Sequence, residues 1–142
     1  MVKKKKHQNE TILSIDFGKT NIGTALGRNG LVVPLETFSG KDINTALFKI
    51  NRIVVENKVD RLVVGLPLTS DDKETTHSLE IRRFAKILKV TTKRPVDFQN
   101  EYETTKAALE EALNTEVSEK RRGSIDHLAA AFILQGYYDE RG

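Results

Sequence analysis

The chain contains no cysteine and no tryptophan, with three prolines and one methionine among 142 residues. Without cysteine there is no disulfide framework and no thiolate metal site, so any bound metal has to be held by oxygen or imidazole. No apolar run approaches the ~20 residues that cross a bilayer, and the lysine-rich start is not followed by the apolar stretch of a signal peptide. A soluble, cytoplasmic protein is therefore expected. A strong overall charge is also missing. The net charge is +3, and Lys3–Lys6 supply four positive charges, which leaves the remainder at −1. The length suits one domain with a single core, so residues 1–10 are read as a flexible basic arm and 11–142 as the folded unit.

What is present is organised around Thr11–Gly27. An apolar run, Ile12–Ile15, breaks at Asp16-Phe17-Gly18 and resumes at Ile22–Leu26. Short β-branched runs bounded by glycine predict two strands with a tight return. Asn29-Gly30 then marks a hairpin into a third strand, Leu31–Phe38, where Pro34 points to an edge or bulge. Asp42 caps a helix that runs to about Asn57, and Arg61–Leu66 is a buried strand. A helix is expected over about Thr76–Leu88, a short strand at Pro95–Phe98 and a helix at about Glu103–Leu113. A charged linker over Asn114–Gly123 would lead to a last helix from Ser124 to Tyr138. Three antiparallel strands followed by alternating helices and strands predict an α/β fold, a mixed five-stranded sheet flanked by helices.

Three acids fall at comparable places in this scheme. Asp16 ends the first strand, Glu101 follows the fifth, and Asp126 lies in the first turn of the last helix. Each has an ordinary explanation alone: Asp16 as a turn former, the other two as acids favoured by a helix N-terminus. Together they mean more, because parallel strand ends converge on one rim. Two carboxylates ~4 Å apart repel by ~4 kcal/mol at an effective dielectric of 20. Such a cluster persists by taking up protons or by holding cations, and an all-oxygen donor set selects Mg²⁺ or Mn²⁺. Two such ions can activate water and steady the leaving oxygen in phosphodiester hydrolysis.

The charges are also segregated. Ile81–Val96 carries six bases and no acid, whereas Asp97–Glu119 carries seven acids and one lysine. This pattern suggests a basic face beside an acidic pocket, suited to a nucleic-acid backbone. Arg82 and Lys86 on the second long helix, and Lys120, Arg121 and Arg122 before the last one, are the candidate phosphate contacts. His127 is read as capping or exposed, and His7 and His77 as lying in flexible surroundings without metal-ligand spacing. Tyr137 and Tyr138 are read as packing residues.

Five segments in order, Asp16-Phe-Gly-Lys-Thr-Asn-Ile-Gly-Thr-Ala, Val64-Gly-Leu-Pro-Leu, Arg82-Arg-Phe-Ala-Lys-Ile-Leu, Asn100-Glu-Tyr-Glu-Thr-Thr and Ser124-Ile-Asp-His-Leu-Ala-Ala-Ala-Phe-Ile-Leu, resemble the YqgF/RuvX family. That group is related to the RuvC Holliday-junction resolvases. The resemblance covers nearly everything after residue 10. It implies an RNase H-like fold and a metal-dependent nuclease, with Asp16, Glu101 and Asp126 matching the catalytic, metal-holding acids and Lys19 near the family's basic position. The implied activity is endonucleolytic trimming of the 5′ end of pre-16S rRNA. Two departures are visible: the family's Asp-Glu-Arg is here Asn100-Glu101-Tyr102, and the basic residue stands one place early at Lys19. These bear on metal affinity and rate rather than on fold.

Two other readings stay open. One is a resolvase of branched DNA, which would work as a homodimer where the RNA enzyme could be a monomer; the other is a non-catalytic nucleic-acid-binding domain of the same fold. A sugar-kinase or actin-like ATPase, suggested by Asp16–Asn21, would need a second lobe that 142 residues do not supply.

Overall fold

The computed structural model describes residues 9–101 and 119–141, with the side chains of 119–127 outside the description. The expected helix at Glu103–Leu113, most of the basic arm, Tyr102 and His7 fall outside the described residues.

Five strands form one sheet: β1 (Thr11–Phe17), β2 (Asn21–Arg28), β3 (Leu31–Ser39), β4 (Arg61–Leu66) and β5 (Val96–Asn100). Their order is β3-β2-β1-β4-β5. The β1–β2 and β2–β3 pairs are antiparallel, while β4 runs parallel to both β1 and β5. Asn29 and Gly30 take the positive φ values, 54° and 82°, that a tight hairpin needs. β3 is an edge strand, and the β2–β3 register shifts between Gly23 and Ala25, with Ala25 opposite Pro34. The proline thus sits where a missing N–H is tolerated.

The two faces of the sheet are covered differently. Alternation along each strand sends Leu13, Ile15, Leu62, Val64 and Leu66 to one side. There they meet Ala46, Leu47, Ile50, Ile53 and Val54 of α1 (Ile43–Glu56) and Ile81, Phe84 and Leu88 of α2 (Thr76–Thr92). Asp42 caps α1 by accepting from the N–H groups of Asn44 and Thr45, and Thr75 with Ser78 forms a reciprocal capping box on α2. α2 runs one turn past the expected Leu88. The Thr92 hydroxyl donates to the Leu88 carbonyl at 2.7 Å, and Lys93 ends the helix at φ 55°, two residues before Pro95.

Among the described residues the other face packs against α3 (Glu119–Arg141). Ile12 and Val63 pack there with Ile133, Leu134 and Tyr137. Small residues let the helix approach. A Cβ on Gly27 would stand 2.6 Å from Leu134 Cδ2, and one on Gly65 would stand 2.5 Å from Ile133 Cδ1. Between them the buried Ser14 hydroxyl donates to the Ala130 carbonyl at 2.7 Å. α3 already includes Glu119, so Lys120, Arg121 and Arg122 lie in the helix rather than in the expected linker. Asp126 is consequently two turns inside α3 instead of in its first turn, where the macrodipole would favour it.

At the end of the sheet away from Asp16, Arg61 bridges Glu10 and Asp97, both at 3.3 Å. The Tyr137 hydroxyl donates to the same Asp97 carboxylate, and the Arg141 guanidinium lies 3.8 Å over the Tyr137 ring. Tyr137 is therefore the packing residue expected of it. Burial, and then the bond to Asp97, push its phenol well above the ordinary range. An unfolded chain ionises tyrosine near pH 10 while the folded one keeps this hydroxyl protonated, so stability should fall as pH rises through about 10. Tyr138, also raised by burial, adds to the same trend. Urea unfolding followed from about pH 8 to 11 should show a falling midpoint, and a shallower fall in Tyr137→Phe. Identical slopes would remove Tyr137 from this account.

Candidate functional site

The rim formed by the C-terminal ends of β1, β4 and β5 gathers the polar groups. Asp16 follows Ile12 and Ser14 at every second position, so it belongs to the α3 face of the sheet, where it is 5 % exposed. Gly65 stands beside it: the last paired residues of β1 and β4 are Ile15 and Val64, and Asp16 and Gly65 each come next. On β5, Asp97 pairs with Val63 and Gln99 with Gly65, placing both on this same face. Glu101 extends the row. Its N–H donates to the Leu66 carbonyl at 3.0 Å, so the ladder continues one step beyond β5. Its carboxylate folds back over the sheet, with Oε2 3.4 Å from where a Cβ on Gly65 would be. The absent side chain at Gly65 thus leaves the space in which Glu101 approaches the strand carrying Asp16.

α3 reaches the rim in the opposite sense to β1. Tyr137 and Leu134 pack near Ile12, whereas Ala130 lies over Ser14. Four residues of helix, ~6 Å, separate position 126 from Ala130. Two residues of strand, ~7 Å, separate Asp16 from Ser14 in the same direction. The backbone at position 126 therefore arrives level with Asp16. The Asp126 and His127 side chains, like those of Lys120, Arg121 and Arg122, lie outside the described residues. Among the described residues no three His, Cys, Asp or Glu side chains come together as a metal cluster.

The expected phosphate contacts fare unequally. Lys19 is exposed in the β1–β2 turn beside the rim, and Lys86 is exposed on α2. Arg82 is engaged: its guanidinium forms a two-pronged pair with the Glu74 carboxylate and lies 5.1 Å from the centre of the Phe98 ring. The hydrogen bond from Arg82 holds the Glu74 carboxyl below its usual range, and the same bond raises Arg82. Glu74 was not singled out from the sequence; an acid just ahead of a helix whose second turn carries an arginine was its signal. His77 is not in flexible surroundings. Its Nε2 lies 3.1 Å from the Phe17 carbonyl, to which it donates, and its ring stacks near Phe17, which stacks on Phe84. α2 therefore grips the residue that follows Asp16. Ser14 and Gly65 were also passed over, although a serine within an apolar strand and a glycine ending another were the visible signals.

The sequence model of a family described as "RuvX: Holliday junction resolvase" matches residues 10–140. The chain belongs to the RuvX family. A protein of Rhodobacter capsulatus named "Putative pre-16S rRNA nuclease" is 34% identical over 131 residues, covering 90% of this chain and 82% of that one. A protein of Chloroflexus aggregans with the same name is 36% identical over 135 residues, covering 93% and 95%. Among solved structures, Thermus thermophilus RuvC in complex with a Holliday junction superposes with TM-score 0.56 at 11% identity, covering 93% of this chain and 96% of that one. The fowlpox virus resolvase with junction DNA gives 0.51 at 12%, covering 90% and 98%. At such identities the likeness is one of fold, and the fold is the RNase H-like one of the resolvases.

Because Gly65 is shared ground between α3 and Glu101, Gly65→Ala should crowd Ile133 and the Glu101 carboxylate together. A destabilisation of about 1–3 kcal/mol in urea unfolding is expected from overpacking. An unchanged midpoint would show that α3 has slack at this strand.

Proposed function

We propose that this RuvX-family protein is a divalent-metal-dependent endonuclease of ribosome maturation in the cytoplasm, cutting the 5′ region of pre-16S rRNA. The relatives' names support the substrate; the observation that carries the chemistry is the placement of Asp16 and Glu101 on one sheet face, either side of Gly65, with position 126 of α3 level with them. The donor set fits a hard cation. Both groups are carboxylates with no sulfur among the donors, and Gly65 between them lets the Glu101 carboxylate come close to the strand, beside Ile133 of α3. Asp16, Glu101 and Asp126 would hold Mg²⁺ or Mn²⁺, two ions in the fullest case. When bound, such ions supply Lewis-acid stabilisation of the charge that develops on a phosphodiester under attack by water.

The chain's own part is positioning. Asp16 is fixed by a strand paired on both sides, and His77 anchors the Phe17 carbonyl beside it. A rigid carboxylate keeps its geometry through the reaction, which is what metal chemistry requires of its support. Lys19 at the rim and Lys86, with Lys120, Arg121 and Arg122, would draw the phosphate backbone across the site by charge. Arg82 joins them only when released from Glu74. A resolvase acting on branched DNA remains the second reading, on the strength of the family description, and would call for a homodimer.

The deciding assay compares cleavage of a structured precursor RNA and a four-way DNA junction, with and without Mg²⁺ or Mn²⁺. RNA cleavage that needs the ion and is lost in Asp16→Asn, while thermal unfolding stays cooperative, is the expected result. Nucleic-acid binding without cutting under any ion would leave only a binding domain. For the basic face, Glu74→Gln should steepen the salt dependence of RNA binding by about 0.9 in log–log slope, one phosphate contact. No change would place Arg82 off the RNA path.

A further inference from the structure

α2 carries more positive charge than its helix has use for. No acid follows Glu80 on it, while Arg82, Arg83, Lys86 and Lys89 do, with Lys93 as the C-cap. α1 shows the commoner arrangement, in which Arg52 lies 3.9 Å from Glu56 one turn later. Among the described residues, Arg82 alone of the α2 bases is paired with an acid, Glu74. Lys86, Lys89 and Lys93 are exposed. Arg82, Lys86, Lys89 and Lys93 recur at helical steps, so they form one column along α2, and like charges at such steps weaken a helix. The negative end of the helix dipole offsets this for Lys89 in the last turn, but not for Lys86 further back.

The column overhangs the open edge of the sheet. Its head, Arg82, lies 5.1 Å from the centre of the Phe98 ring, and β5, which carries Phe98, is the outermost strand. α2 starts beside the rim, where His77 meets the Phe17 carbonyl, so the column leads away from the rim. From Lys86 to Lys93 it covers ~10 Å of helix. Glu101 comes three residues after Phe98, ~10 Å of strand, and strand alternation puts it on the opposite face. A nucleic-acid backbone passing Glu101 therefore reaches the column by turning round the end of β5. A base-paired helix, stiff over far greater lengths, cannot make that turn, whereas an unpaired strand can. Ammonium groups contact phosphate without reading the bases.

We infer that Lys89 and Lys93 continue the phosphate contact of Lys86 down the β5 edge, and that the partner they fit is an unpaired flank of the RNA. The inference rests on the RNA-cutting reading given above, and not on its metal. The rim would hold the strand to be cut, and the α2 column would add affinity from its flank whatever the sequence there.

Fluorescence anisotropy with two labelled RNAs tests this: a blunt hairpin, and the same hairpin extended at both ends by ~12 unpaired nucleotides. EDTA keeps either RNA from being cut. Lys89→Gln/Lys93→Gln should lower the log–log salt slope of the extended RNA by about 1.4, two single-strand contacts, and leave the blunt hairpin unchanged. Lys89→Arg/Lys93→Arg keeps both charges and should keep the slope. Lys41→Gln/Lys49→Gln, an equal loss of charge around α1, should leave both RNAs as in wild type. Glutamine matches lysine in helix propensity, so the fold should persist, as thermal unfolding would verify. An unchanged slope on the extended RNA overturns the inference and spares the parent reading; so does an equal drop on the blunt hairpin or in Lys41→Gln/Lys49→Gln. The parent reading fails separately if wild type cuts neither RNA once Mg²⁺ or Mn²⁺ is restored. Binding of neither RNA by wild type, with or without those ions, overturns both.

Discussion

The close seating of α3 on one face of the sheet is the constraint on which the rest of the structure depends. Gly27 and Gly65 remove the side chains that would hold the helix off, and the Ser14 hydroxyl, tied to the Ala130 carbonyl at 2.7 Å, sets its axial position over β1. A helix packed against glycine has little freedom to slide, because neighbouring side chains on the strands would block it within an ångström or two. One contact thus sets two ends of the molecule. Towards its C-terminus the helix carries Tyr137 and Arg141 into the Asp97–Arg61 network. Towards its N-terminus it brings position 126 level with Asp16.

The two ends of the sheet hold their acids on different elements. At the far end the carboxylate of Asp97 meets Arg61 and the Tyr137 hydroxyl, so its charge is compensated inside the protein. At the rim, Asp16 and Glu101 lie on one face with a glycine between them, and Asn100 holds Asp72 through a neutral amide. The rim carboxylates come from different strands and a turn, so strand order brings them to one edge. On α2 the Glu74 carboxylate and the Arg82 guanidinium compensate each other at the surface.

Much of the fold was legible in the residues. Period-two alternation and the Asn29-Gly30 turn marked the hairpins, and Asp42 marked the start of α1, because these signals are local and physically strong. The ends of α2 and α3 were not. Val90, Thr91 and Thr92 read poorly as helix, yet the turn persists until Lys93 can adopt a left-handed φ ahead of Pro95. Glu119–Gly123 read as a charged linker, but helix includes it. At the end of α2 the β-branched Val90 and Thr91 are exposed, where propensity is a weak guide. For the site, the acids themselves stood out at strand ends. Their surroundings did not, since Gly65, Ser14, Glu74 and Asp72 each look ordinary until a distant partner is beside them.

The sequence by itself determined the strands, the first helices, the absence of cysteine ligands and the family. Those follow from side-chain size, periodicity and motif spacing, which need no partner to be read. Only the tertiary structure decided which residues share a face at the rim. It placed Glu101 back over Gly65, gave Arg82 to Glu74, set His77 on the Phe17 carbonyl and put Asp72 against Asn100. Contacts of that kind join residues far apart in the chain, or on separate elements, and they exist only because strand order and helix seating bring the backbones together.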